Sequence, residues 1–271
     1  MTATESLSVA DLFEEALADP AAEQQLATSV FWLHHGTRLA GGNTTYRNQY
    51  VLVRAGHSFG GCAFESNEID PEICRDASGS PLAALLREGP LPLRIAALDA
   101  FLALRRPHRE AENAEPLELP AGTPEERAHA RDAAIAGLLD LEPGAKVGLI
   151  GVVNPLVAAI RERGGECLPC DFNLRTTQWG DPVTDSMAEV LDAADAVVAT
   201  GMTLSNGTFD EILRRCRERA IPLIVYAQSG SAVARAFLGS GVTALSAEPF
   251  PFSQFSAEPT TLYRYRAEAA R

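Results

Sequence analysis

Residues 199–209, Ala-Thr-Gly-Met-Thr-Leu-Ser-Asn-Gly-Thr-Phe, gather hydroxyl, amide and glycine residues into one short polar turn. The apolar run Ala194–Val198 precedes it and the helical pattern Asp210-Glu211-Ile212-Leu213 follows. That order predicts a buried strand, a turn and a helix start. Side chains of Thr200, Thr203, Ser205, Asn206 and Thr208 would converge there with open backbone N–H groups, as an anion or polar ligand requires. The same residues also fit an ordinary strand-to-helix loop closed by a capping box from Thr208 to Glu211.

Other strand ends carry related groups. Gly151-Val152-Val153-Asn154-Pro155 places Asn154 at a helix cap and Pro155 at the first helical position, without the G-x-G-x-x-G spacing that lets a pyrophosphate approach. Ordinary NAD or FAD binding is therefore not expected. Asp171 stands twenty residues past Gly151, where a carboxylate would meet ribose hydroxyls. Ala227-Gln228-Ser229-Gly230-Ser231 is again small and hydroxylic, with Ser229 or Ser231 placed to cap a helix. Three helix N-termini pointing into one cleft would suit a carboxylate, a phosphate or a metal-bound oxyanion. No Lys or Arg lies in these loops, which favours a modest negative charge over a triphosphate.

Among the histidines, His34-His35 follows a strand-like run, while His57, Cys62 and Glu65 surround a hairpin turn. If that hairpin faces the cleft, His57 and Glu65 could bind a divalent metal, or an imidazole could act as a base, although the spacing matches no standard zinc pattern. The bland alternative is a polar hairpin. His108 falls in a charged, proline-bearing stretch and His129 on a surface-like helix. Cys167-Leu168-Pro169-Cys170 has redox spacing, but in a strand residues i and i+3 face opposite sides.

These groups need a scaffold. Helical spacing over residues 8–27 is followed by strand-like runs at 29–33, 49–54 and 60–65, separated by Gly41-Gly42-Asn43 and by 55–58. Helices at 81–88 and 92–104 complete a small α+β domain, residues 1–105, and 106–122 has linker composition. From residue 123 to 271 strands and helices alternate. A helix runs from the capped start Thr123-Pro124-Glu125-Glu126 to about 139–140, strands lie at 146–153, 166–171, 196–200, 221–226 and 242–245, and helices lie at 155–163, 185–193, 208–219 and 231–238. Continuous apolar strands with helical crossovers make this an α/β, doubly wound, Rossmann-like parallel sheet.

The 271 residues carry a net charge of -13, which disfavours nucleic acid and anionic membranes. Basic character comes from 22 arginines and one lysine, a bias that fits a GC-rich genome. No apolar run reaches transmembrane length and the N-terminus is acidic, so a cytoplasmic protein is expected. Five cysteines do not suggest a disulfide framework.

The segment Thr200-Gly201-Met202-Thr203-Leu204-Ser205-Asn206-Gly207-Thr208 resembles the TG-(S/T)-T-L-x-N-G-T signature of a bacterial and archaeal family described as "putative heavy-metal chelation". Residues 141–151 are similar to that family's first Rossmann strand. Residues 91–100 resemble a helix of its smaller preceding domain, whose fold is similar to the N-terminal domain of enolase. The resemblance implies two domains with a ligand site between them. Asn154-Pro155 replaces a usually aromatic segment, Asp99 stands where Asn is usual, and residues 250–255 depart from the pattern. The expected ligand is a small molecule or metal chelate, held by Asn154, Asp171, Thr200, Thr203, Ser205, Asn206, Thr208 and Ser229. The alternative is an enzyme using S-adenosylmethionine or a related nucleoside cofactor, with Asp171 on the ribose. A non-catalytic subunit or a homodimer is also compatible with the sequence.

Overall fold

The structure, a computed structural model, describes residues 7–38 and 45–268. The expected turn at 41–43 and the first residues of the acidic N-terminus lie outside them.

Helix α1 (Val9–Ala18) starts from a Ser8–Asp11 capping box and buries Leu12, Phe13 and Ala16. After a single turn, α2 (Ala21–Gln24), the aromatic and β-branched runs form β1 (Ala27–Arg38), β2 (Thr45–Ala55) and β3 (Ser58–Phe64), an antiparallel sheet in the order β1-β2-β3. β1 runs five residues beyond the expected stretch, so His34 and His35 lie within it and pair with Gln49 and Asn48. Helices α3 (Ile73–Ala77), α4 (Leu82–Glu88) and α5 (Leu91–Arg105) follow. β3 rests directly on α5. A Cβ at Gly60 would meet the backbone of Ala96 and Ala100, so only glycine allows that approach.

The remainder forms one seven-stranded sheet from β4 (Glu115–Leu119), α6 (Pro124–Ala136), β5 (Lys146–Ile150), α7 (Asn154–Glu162), β6 (Glu166–Cys170), α8 (Met187–Ala193), β7 (Ala196–Thr200), α9 (Met202–Ser205), α10 (Phe209–Arg219), β8 (Leu223–Ala227), α11 (Ser231–Ala236), β9 (Ala244–Ala247) and β10 (Thr260–Arg266). Five parallel strands lie in the order β6-β5-β7-β8-β9, and β10 and β4 add antiparallel to the β9 edge. Residues 106–122, read as a linker, therefore contain a strand as well as a 3-10 turn at His108–Glu110. Glu-Pro-Leu-Glu-Leu hides its strand character because edge strands tolerate proline and charge.

Two local readings are corrected. Gly151, at φ +85°, turns the chain out of β5 and ends that strand at Ile150 rather than Val153. The stretch 200–208 is not one loop, because a short helix, α9, intervenes before α10. Thr208 caps nothing: its hydroxyl donates to Asn206 Oδ1 at 2.7 Å, and α10 has no side-chain cap. The main apolar core passes without interruption from Leu12 and Phe101 to Val225 and Tyr265, joining the small sheet's helices to the large sheet. No helix among the described residues is long and apolar enough to cross a membrane.

Candidate functional site

In the parallel sheet the strand order reverses between β5 and β7, so a crevice is expected beyond their carboxyl ends. Gly151 and Thr200 stand there in contact, and the Tyr226 hydroxyl reaches across from β8 to donate to the Gly151 carbonyl at 2.8 Å. Burial, with the charges of Asp132 and Asp171, pushes the Tyr226 phenol far up, so it remains a neutral donor. The Thr200 hydroxyl accepts from the Met202 N–H at 3.4 Å.

The neighbouring candidates hold this rim in shape. Asp171 accepts from the N–H groups of Val152 at 2.9 Å, Asn173 at 2.8 Å and Leu174 at 3.0 Å, stapling the loops after β5 and β6. That carboxylate is engaged by its own loops, and no observation favours a ribose there. Asn154 is the first residue of α7 rather than its cap, 4% exposed, and accepts from the Gln178 N–H at 3.0 Å. The Thr203 hydroxyl donates to the Thr200 carbonyl at 2.7 Å, and that of Ser205 to the Met202 carbonyl at 2.8 Å. Ser229 is buried with its carbonyl against Gly201. Asn206 and Thr208 do not join them. They bond to each other beside the start of α10, where Asp210 accepts from the Val9 N–H at 3.1 Å. There Gly207 and Leu204 line a separate cleft of about 390 Å³ against Phe13 and Leu17 of α1.

The helix N-termini do not form one open set. The first turn of α11 is already supplied with a carboxylate by Asp99 of α5, which accepts from Ala232 N–H at 2.7 Å, from Val233 N–H at 3.3 Å and from Gly61 N–H of β3 at 2.9 Å. Burial pushes the Asp99 carboxyl up to about 6, against the pull of these N–H donors. Ser231 at the same helix start contacts His108 Nε2 at 3.2 Å, and His108 Nδ1 contacts the Tyr265 hydroxyl at 2.7 Å. His108 is thus a core residue, and burial drives its pKa down to about 3, leaving a neutral imidazole.

His57 and Glu65 flank β3 at opposite ends, eight steps of about 3.3 Å apart, and cannot share an ion. Glu65 instead accepts from Asn173 Nδ2 at 3.2 Å, linking β3 to the β6 loop. Cys62 is fully buried, and burial raises its thiol well above the ordinary value. Burial also pushes Cys167 and Cys170 up to about 12 and about 11, so neither is a reactive thiolate. Among the described residues no group of three or more His, Cys, Asp or Glu side chains could hold a metal ion.

A polar cluster that the sequence reading passed over lies at the carboxyl ends of β8 and β9. Arg131 Nε of α6 donates to Asp132 Oδ1 at 3.2 Å, and Glu248 accepts from Ser253 N–H at 2.6 Å and Gln228 Nε2 at 2.7 Å. Asp132, Glu248 and Ser253 are all buried. Burial opposes charge on Arg131, but Asp132 and Glu248 outweigh it and hold the guanidinium protonated; burial raises Asp132 despite Arg131. Tyr50 of β2 closes the cluster from the small sheet, its phenol raised by burial and sensing Arg131 and Glu248. The signal was present: residues 127, 128, 131, 132 and 135 recur at helical spacing and make one face of α6, with charges where apolar residues were expected. Ser253 and Gln254 also line an adjoining cleft of about 290 Å³.

Residues 133–247 match the model of the DUF364 family, described as "Putative heavy-metal chelation". Two solved DUF364 proteins of unknown function share the fold. The one from Desulfitobacterium hafniense is 17% identical, with a TM-score of 0.58 over 88% of this chain and 85% of that one. The one from Pyrococcus horikoshii is 17% identical, with a TM-score of 0.56 over 93% and 97%. The family resemblance read from residues 200–208 is borne out, and so is the α/β architecture. No curated protein matches the chain.

Proposed function

We propose that the protein binds a small polar ligand, a metal chelate in keeping with the heavy-metal chelation of the family's description, at the carboxyl edge of the parallel sheet beneath β3. The carrying observation is the strand reversal between β5 and β7, with Gly151, Thr200 and Tyr226 at its rim. Support for a ligand held between the two halves comes from the way β3 roofs this edge: the Gly230 N–H donates to the Gly61 carbonyl at 2.7 Å, and Glu65 meets Asn173. On this reading Thr200 and Tyr226 touch the ligand, while Asn154, Asp171, Thr203, Ser205 and Ser229 hold the loops that shape its site. A chelate suits the site better than a bare ion because the described side chains offer no metal-binding set. The metal's donors would then come with the ligand.

Calorimetric titration of the full chain with nickel(II), copper(II) and iron(III) complexes of citrate and histidine tests this. At least one should bind in one-to-one ratio, and Thr200→Val and Tyr226→Phe should each weaken it about tenfold, the worth of one hydrogen bond. Absence of binding, or equal binding by wild type and both variants, would overturn the proposal.

A further inference from the structure

Arg131 and Asp132 lie side by side under the Ser253–Phe255 turn, with side-chain exposures of 15% and 2%. Asp132 Oδ2 is buried and has no hydrogen-bond partner among the described residues. Native proteins rarely leave a buried carboxylate oxygen unpaired, because its lost hydration is not replaced. The polar groups around it are committed elsewhere. Glu248 is bound by Ser253 and Gln228, Gln228 and Gln254 exchange bonds at 2.9 and 3.0 Å, and the Tyr226 hydroxyl serves Gly151. None of them donates to Asp132 Oδ2.

The charges are also out of balance. Arg131 faces both Asp132 and Glu248, one cation against two carboxyl groups. A neutral donor such as water would fill the hydrogen bond and leave the charge, whereas an ammonium group supplies both. A divalent cation fits poorly, since Glu248 already accepts at both oxygens and a guanidinium sits 3.2 Å from Asp132. The adjoining cleft of about 290 Å³ carries a second buried cation, Arg127, whose guanidinium donates to the Pro120 and Glu258 carbonyls and to Thr260 and meets no carboxylate among the described residues. That wall disfavours a plain diamine and favours a ligand whose ammonium is accompanied by an anionic group.

We infer that Asp132, held by Arg131, is the recognition point for the ammonium group of an amino-acid-type ligand, which reaches it from the cleft beside Ser253 and Gln254. The inference rests on the proposal that ligands bind at this carboxyl edge, and names the chemistry of one part of that ligand.

The test is calorimetric titration of the full chain with each of the twenty L-amino acids. The best binder is then compared with its 2-hydroxy analogue, which lacks the ammonium, and with nickel(II) citrate as a chelate without one. The amino acid should bind at least about tenfold more tightly than the hydroxy acid, as expected for a hydrogen bond to a charged group. Asp132→Asn should abolish that preference. Equal binding of the two acids by wild type, a preference that survives Asp132→Asn, or no binding of any amino acid would overturn the inference. The wild-type comparison stands even if the variant does not fold. Nickel citrate binding without amino-acid binding removes this inference alone, and failure of every probe, the chelates included, removes the ligand proposal too.

Discussion

The Asp99 carboxylate, 3% exposed, accepts from three backbone N–H groups that belong to two parts of the chain, β3 and the start of α11. Removing it in Asp99→Ala strands those donors, at a cost of about 3 kcal/mol in urea unfolding; Asp99→Asn, which keeps an acceptor, should lose less. Its titration has a definite sign. Burial raises the folded pKa from the ordinary 3.8 to about 6, so between those values the folded protein holds the proton more tightly than the unfolded chain. By linkage, this group makes stability fall as pH rises from about 4 to about 6. Unfolding measured across that window should show a decline in wild type that is missing in Asp99→Asn; parallel curves would contradict it. At this scale the sequence was only partly legible. Thr200, Asn154 and Asp171 could be placed near the strand ends from their spacing, but which of them spends its side chain on its own loop depends on partners far along the chain. Asp99 itself could be singled out only as a departure from a family pattern. Arg131 and Asp132 share a helical face with Ile135, but a charged pair in a helix reads as solvated until the helix is seen to turn that face inward.

Elements were more legible than residues. The parallel strands announced themselves as apolar runs, α1 by its helical spacing and the start of α6 by its capping box. β4 was missed because a polar edge strand lacks that signal, β10, paired between β4 and β9, because its arginines interrupt the apolar run, and the turn at 200–208 because four residues of helix leave no periodicity. The approach of β3 to α5 seats the small sheet on the helix that itself packs against α11 of the large half. Gly60→Ala should destabilise the fold by more than about 3 kcal/mol, since the atoms its Cβ meets are helix backbone and cannot step aside. Chemical denaturation checks this, and a loss below about 1 kcal/mol would show that β3 can shift without cost.

At the scale of the whole molecule, the continuous core joins what composition divides at residues 106–122. A scanning calorimetry trace should therefore show one transition, with calorimetric and van't Hoff enthalpies in agreement. Two resolved transitions would mean that the halves are energetically separate and that β3 only rests on the large sheet. The central claim, a ligand held at the carboxyl edge beneath the small sheet, is tested most directly by hydrogen exchange on the full chain with and without whichever of the citrate or histidine metal complexes binds. Protection is expected in peptides covering 150–154, 199–203, 226–230 and 248–254. Protection confined to the α1–α10 cleft, or none anywhere, would contradict the account.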